Sequence, residues 1–193
     1  LVPDHVGRLP ALGSDEAPDG TKLRRKRPTS KPPKNHFEPE HVQALREAYL
    51  DSLYAHQELW QKHLNERVRL ILKSRQIGAT WYFAREALID LLTTARTQVF
   101  LSASRAQAYQ FRNYQRGFVR EVLDMDLEGD PIIFSNGARE FFLGRNVATA
   151  QGYAGNLYFD EIYWVPQFGV MESTAGAIAT HKHFRKTYFS TPS

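Results

Sequence analysis

The sequence predicts an α/β domain with a largely parallel central sheet flanked by helices. Three observations carry that reading. Short apolar runs of strand length alternate with longer stretches of helical period, the signature of strand–helix–strand units. The runs VRLIL at Val68–Leu72 and QVFL at Gln98–Leu101 are mostly apolar, as strands buried in a parallel sheet are. The first 36 residues lack this alternation, so the folded part is expected to begin near Phe37.

Residues 1–36 read as a basic, Pro/Gly-rich linker, expected to be disordered. Pro3, Pro10, Pro18, Pro28, Pro32 and Pro33, with Gly7, Gly13 and Gly20, interrupt any helix or ladder. Large apolar residues are too sparse there to offset the entropy of ordering. Seven of the 13 positions from Lys22 to Lys34 are Lys or Arg and none is acidic, so the rest of this +4 chain is net negative. A solvated tether is the plain reading of that run; a contact to phosphate backbone and a nuclear-localisation address share its composition.

From Phe37 the pattern changes. Val42, Leu45, Tyr49, Leu53, His56 and Trp60 recur every three or four residues, which gives one helix face or two helices broken near Asp51-Ser52. The 68–72 strand follows, expected to be buried. A helix from about Gly78 to Leu92 then carries Trp81, Ala84, Leu88 and Leu91 on one face. After the 98–101 strand, 103–123 reads as a helix. Short strands at 131–134 and 140–143 flank a turn at Asn136-Gly137. Two more strands are expected at 156–159 and 187–189. No internal repeat is visible.

Composition bounds the function. The 193 residues are 42% hydrophobic and 24% charged, enough for one core and too little for two large enzyme domains. No apolar run reaches the roughly 18 residues of a membrane span, so no membrane partner is expected. The start, Leu1-Val2-Pro3-Asp4, has no signal-peptide pattern and no Met, as expected of a fragment. Zero cysteines exclude a disulfide framework, a Cys-ligated zinc and a thiol nucleophile, and accord with a reducing cytoplasm.

Three segments carry candidate chemistry. Lys73-Ser74-Arg75-Gln76-Ile77-Gly78-Ala79-Thr80 lies between a predicted strand and a predicted helix, where backbone N–H groups and the helix dipole favour an anion. Against the phosphate-loop pattern G-x-x-x-x-G-K-[ST], Gly78 and Thr80 match, while Ala79 fills the lysine slot and Lys73 the first-glycine slot. A lysine at the other end of the same loop still reaches a phosphate on its flexible stem. Thr80 offers a hydroxyl to Mg2+, and Arg75 a second cation able to act as an arginine finger within the chain. Leu157-Tyr158-Phe159-Asp160-Glu161 is an apolar strand ending in two acids, one suited to hold Mg2+ and the other to polarise water. Ser190 and Thr191 end the last strand with hydroxyls that can reach a γ-phosphate or its attacking water.

The segments LILKSRQIGATWYFAREAL, VFLSASRAQAY, TAQGYAGNLYFDEIYWVPQF and HKHFRKTYFSTPS resemble the ATPase region of the large terminase subunit of tailed bacteriophages, most closely the type found in temperate contractile-tailed phages. The resemblance runs from about Phe37 to Ser193, and the displaced lysine is a mark of that family. It implies a P-loop NTPase in which 73–80 is the Walker A loop, Asp160 the Mg2+-binding Walker B acid and Glu161 the catalytic glutamate. Ser190 and Thr191 match the coupling motif between hydrolysis and DNA movement, and Gln57 resembles the adenine-reading glutamine upstream of the loop. ATP and Mg2+ are the implied cofactors. Double-stranded DNA, the small terminase subunit, the procapsid portal and further copies in a ring are the implied partners, in the host bacterial cytoplasm. Such proteins normally continue into a nuclease region, and a small DNA-binding module often precedes the linker; neither is expected within these residues, so cutting activity is not expected here.

The function expected is therefore ATP-driven translocation of duplex DNA into a procapsid. A helicase-like translocase and a non-hydrolysing assembly module remain as alternatives. His181 and His183 read as a surface pair, Arg139 and Arg145 as solvated charges, and Arg105, Arg112, Arg116 and Arg120 as an exposed helical ridge. Trp164 is expected in the core.

Overall fold

A computed structural model of the chain describes residues 34–144, 152–164 and 168–192. The basic run up to Lys31, the linker expectation for residues 1–33, and Arg145 lie outside the described residues.

Helix α1 (Pro39–Asp51) opens at Glu38, which exchanges capping bonds with His41, and has Pro at its first position. It closes where Ser52 Oγ donates to the Tyr49 carbonyl at 2.7 Å. Helix α2 (Ala55–Lys62) follows at once, so the break expected near Asp51-Ser52 is present. Strand β1 (Val68–Leu72) leads through the loop into α3 (Ala79–Thr94). Then come β2 (Gln98–Leu101), α4 (Arg105–Leu123), β3 (Ile132–Ile133), β4 (Arg139–Leu143) and β5 (Asn156–Asp160). A 3-10 turn (Ile162–Trp164), α5 (Phe168–Ile178) and β6 (Lys186–Ser190) complete the described chain.

The six strands form one sheet in the order β1-β6-β5-β2-β4-β3, parallel except for the antiparallel β3–β4 pair. The last strand in sequence thus runs between the first and the fifth. Leu72 pairs with Ser190, and Phe189 with Asp160, so the loop and the acid pair leave the sheet at the same end, separated by one strand.

Apolar side chains fill both faces. On one, α3 and α4 bury Phe83, Leu88, Phe111 and Phe118 among Phe100, Phe142, Tyr158 and Phe189. On the other, Val99, Leu101, Leu157 and Phe159 pack with Ala175 and Ile178 of α5. Within the first layer lies a buried ionic knot. The Glu86 carboxylate accepts from Arg69 Nη1 at 2.9 Å and from the Tyr82 and Tyr158 hydroxyls at 2.9 Å each. Arg69 Nη2 also donates to Thr187 Oγ1 at 2.8 Å, so β1, α3, β5 and β6 share one satisfied network.

Three expectations need correction. The 68–72 strand is not buried: Val68, Leu70 and Leu72 are 57–66% exposed. Among the described residues β1 pairs only with β6, so alternate side chains point to an uncovered face. Trp164 is 49% exposed rather than in the core, because the 3-10 turn carries it over the end of the sheet. Asn35, read as linker, is buried and bonds the Glu128 and Ile133 carbonyls through Nδ2 at 2.9 Å each, because the amide caps backbone groups that the β3 turn leaves unpaired.

Candidate active site

The loop after β1 needs two left-handed residues to turn back into α3. Gln76 has φ 57° and Gly78 has φ 76°, and Gly78 caps the helix N-terminus. Lys73, Ser74, Gln76, Ile77, Gly78, Ala79 and Thr80 line a cavity of about 130 Å3 in front of that terminus, with Tyr114 of α4 across from them. Arg75 is exposed and turns out of this cavity, its guanidinium 6.0 Å from the Trp164 ring.

The loop is held from behind. His56 shares a hydrogen bond with the Ile77 carbonyl at 2.9 Å, and Gln57 Nε2 reaches the Gly78 carbonyl at 3.5 Å. Gln57 is fully buried, and its Oε1 accepts from the Tyr54 N–H at 3.1 Å. A side chain at Gly78 would meet Gln57 Nε2 at 3.0 Å. Both residues border a second cavity of about 670 Å3, ringed by Tyr54, Trp81 and Tyr114. A planar heterocycle attached to a phosphate in the loop would fit there. Tyr114 and His56 were not picked out as site residues from sequence. The only available signal was the i, i+4 spacing from His56 to Trp60, and it reads first as a core face.

The acid pair faces the loop. Lys73 Nζ lies 2.7 Å from Glu161 Oε1 and 3.9 Å from Asp160 Oδ1, and its side chain is 8% exposed. Glu161 leaves the strand in a left-handed backbone conformation, φ 54°, unusual for a residue with a Cβ and common where side chains are aimed for function. Its second oxygen, Oε2, accepts from the Thr191 N–H at 3.1 Å and the Thr191 hydroxyl at 3.0 Å, with the Ser190 hydroxyl at 3.3 Å. Ser190 and Thr191 reach it because β6 lies between the loop strand and the acid strand.

These surroundings drive the two acids apart. Burial pushes the Asp160 carboxyl up to about 7; Lys73 opposes that rise and the Glu161 charge adds to it. Burial also acts to raise Glu161, but Lys73 and the Thr191 donors outweigh it and hold that carboxyl below its ordinary value. Asp160 Oδ1 is buried and makes no hydrogen bond. One lysine thus faces two carboxylates, with Asp160 Oδ1 left without a hydrogen bond, and the same lysine lines the loop cavity together with Thr80. That donor set, one carboxylate and the Thr80 hydroxyl, fits a Mg2+ that takes its remaining ligands from phosphate and water.

Of the sequence-predicted site residues, Lys73 touches the acid pair, Glu161 touches Ser190 and Thr191, and Gln57 touches the loop at Gly78, while Arg75 points away from the loop cavity. The other candidates lie apart from it. His181 and His183 stack at 5.6 Å in a turn, and no cluster of three or more His, Cys, Asp or Glu suited to a metal occurs among the described residues. Arg105 and Arg112 face Asp130 at 3.0 and 3.7 Å, Arg120 pairs with Asp126, and Arg116 donates to the Gly129 carbonyl; Arg105 and Arg120 are exposed, but Arg112 and Arg116 are half-buried, so the expected ridge is exposed only in part. Arg139 is exposed at the start of β4.

A largely parallel sheet with a phosphate-type loop after its first strand and an acid pair ending a nearby one is an α/β fold of the P-loop type. The chain belongs to the terminase large-subunit family: the family described as terminase large subunit, T4likevirus-type, N-terminal, matches residues 70–193. It is 50% identical over 165 residues to the terminase ATPase subunit of Escherichia phage P2, covering 84% of this chain and 28% of that protein. It is 46% identical over 159 residues to the probable terminase ATPase subunit of Haemophilus phage HP1, covering 82% of this chain and 26% of that protein. The chain thus spans little more than a quarter of these relatives' length. Its fold is similar to that of the HK97 bacteriophage large terminase (TM-score 0.61, 19% identity, 78% of this chain, 37% of that one). The large terminase ATPase domain of Thermus phage P74-26 is similar at TM-score 0.59 (14% identity, 76% of this chain, 68% of that one).

Proposed function

We propose that this chain binds ATP–Mg2+ and hydrolyses it as the motor portion of a DNA-packaging terminase. The observation that carries this reading is the 2.7 Å contact of loop Lys73 with Glu161, beside an Asp160 oxygen that makes no hydrogen bond. The loop and the acids meet through that lysine, beside the cavity that the loop lines.

In this mechanism the α3 N-terminus and the loop N–H groups receive the phosphates, and Lys73 leaves Glu161 to neutralise their charge. Arg75 supplies further positive charge at the mouth and could act as the finger. Thr80 and Asp160 would hold Mg2+, which neutralises charge developing on the phosphate oxygens. Released from Lys73, Glu161 Oε1 accepts the proton of the attacking water, while Ser190 and Thr191 keep Oε2 oriented. Gln57 braces Gly78 and borders the cavity for the adenine. The left-handed Glu161 backbone and the two β6 hydroxyls place the base and the coupling residues in direct contact, so loss of the γ-phosphate would be felt at β6.

For the whole protein we assign duplex DNA as the translocated substrate, the small terminase subunit and procapsid portal as partners, a ring as the working assembly, and the host cytoplasm as the place of action. Among the described residues no helix is long and apolar enough to cross a membrane. The test is ATP titration with phosphate release. Wild type binds and turns over ATP; Glu161→Gln binds it with similar affinity and loses about 10^2–10^4-fold in rate. Full activity in that variant removes Glu161 from its role, and a wild type that binds no nucleotide ends the motor reading. Packaging that depends on procapsids separates this motor from a helicase-like translocase.

A further inference from the structure

Trp164 is not a core residue. It stands half exposed at the mouth of the site, yet its indole N–H is spent on a buried hydroxyl: Trp164 Nε1 donates to Thr191 Oγ1 at 3.0 Å. Indole N–H can only donate. Thr191 Oγ1 must therefore accept from Trp164, and its single proton is left to donate to Glu161 Oε2, 3.0 Å away. Without that donor, the hydroxyl loses the partner on its lone pairs that fixes its rotation, and its bond to the carboxylate is no longer held at one angle.

The neighbouring hydroxyl is less committed: Ser190 Oγ lies 2.9 Å from the Thr191 carbonyl and 3.3 Å from Glu161 Oε2, two acceptors for one proton. The Tyr163 N–H donates to Ser190 Oγ at 3.2 Å. Three residues of 3-10 turn, anchored by the Trp164 backbone N–H on the Glu161 carbonyl at 3.0 Å, thus donate to both hydroxyls and commit that of Thr191 to the Glu161 carboxylate. On its outer side the Trp164 ring lies 6.0 Å from the Arg75 guanidinium, within range of a cation–π contact. A continuous path runs from the loop cation through Trp164 and Thr191 to Glu161.

We propose that Trp164 is a positioning residue: it fixes the Thr191 hydroxyl as a donor to Glu161 and ties that arrangement to Arg75 in the loop. The inference rests on the ATPase reading above. When ATP arrives and Arg75 turns toward phosphate, the ring loses its cation, and the change is passed to the coupling pair. Trp164 itself touches no reacting atom.

The test compares Trp164→Phe, which keeps a ring for Arg75 and removes the N–H, with Thr191→Val, which keeps the shape and removes the hydroxyl. ATP affinity and melting temperature of Trp164→Phe stay at wild-type values, within about twofold for the affinity, while kcat falls roughly tenfold. The double variant is no slower than Thr191→Val alone, because both remove one shared bond. The second readout is independent of turnover. In a 15N-labelled chain the indole N–H signal missing from Trp164→Phe, one of three, shifts upfield in Thr191→Val and moves again in wild type on adding Mg-ATP. A kcat within twofold of wild type in Trp164→Phe, losses that multiply in the double variant, or an indole signal unmoved by both Thr191→Val and saturating Mg-ATP would each overturn the proposal. A wild type that binds ATP without hydrolysing it defeats the motor reading instead, and leaves the indole signal to decide for or against the bond.

Discussion

Two groups of buried charge lie on the same sheet and are built to opposite plans. Around Glu86 every charge has an answer: Arg69 meets the carboxylate with two nitrogens, two tyrosine hydroxyls complete it, and Thr187 and the Trp60 carbonyl take further Arg69 donors. At the sheet's C-terminal end one lysine serves two acids, Asp160 Oδ1 has no hydrogen bond, and Glu161 has a left-handed backbone. The first arrangement is a brace, and breaking it strands a charge. The second is incomplete in the way a cation-and-phosphate site must be. Burial alone does not distinguish structural from functional charge; satisfaction does.

The comparison can be broken by substitutions on each side. The largest stability effect belongs to the brace: Glu86→Ala leaves Arg69 buried and unpaired, and denaturant unfolding should register a loss of about 3–5 kcal/mol. The contrasting variant, Asp160→Asn, removes a carboxyl that the folded chain holds at a cost and should raise the melting temperature above pH 7 while impairing Mg2+-dependent turnover. Next comes Lys73→Ala, which removes the loop cation; ATP affinity measured by titration should fall by roughly ten- to a hundredfold, a loss of 1.4–2.8 kcal/mol. Normal ATP binding in that variant would show that the displaced lysine is not a phosphate ligand.

A pH series sharpens the difference further. Asp160 ionises near 7 when folded and near its ordinary 3.8 when unfolded, so the folded chain binds the proton more tightly in between. Stability therefore falls as pH rises through that window. Glu140, fully buried and raised by burial to about 8 against Gln115's hydrogen bond, adds a fall in the same direction that extends somewhat higher. Thermal melts from pH 4 to 8 should show the decline in wild type and a shallower one in Asp160→Asn. The smallest effect is expected away from both groups: Arg105→Ala, losing an exposed pair with Asp130, should change stability by no more than about 1 kcal/mol.

Much of this was legible in the sequence because it is written locally. The runs VRLIL, QVFL and LYFD carry the strands, and a loop with Gly78 and Thr80 after one strand, with acids after another, carries the site. What could not be read depends on pairing across long sequence distances. Nothing near Lys186–Ser190 says that this strand inserts between β1 and β5, and that insertion is what brings Ser190 and Thr191 onto Glu161. Arg69, Glu86, Tyr158 and Thr187 look like scattered polar residues until the sheet is assembled. VRLIL reads as buried by composition, yet being apolar does not ensure a covering layer. Trp164 reads as core for the same reason, and its role depends on where one N–H points.

The position of β6 has a mechanical consequence. Main-chain bonds hold it on both flanks, to β1 on one side and β5 on the other, and they continue past the strand ends through the Lys73 and Glu161 N–H groups. Sliding such a strand would rupture two ladders at once. The freedom left at its tip is rotation about side-chain bonds, so a power stroke begun here would start as the swivel of a pair of hydroxyl groups, with the sheet as the fixed frame against which they turn.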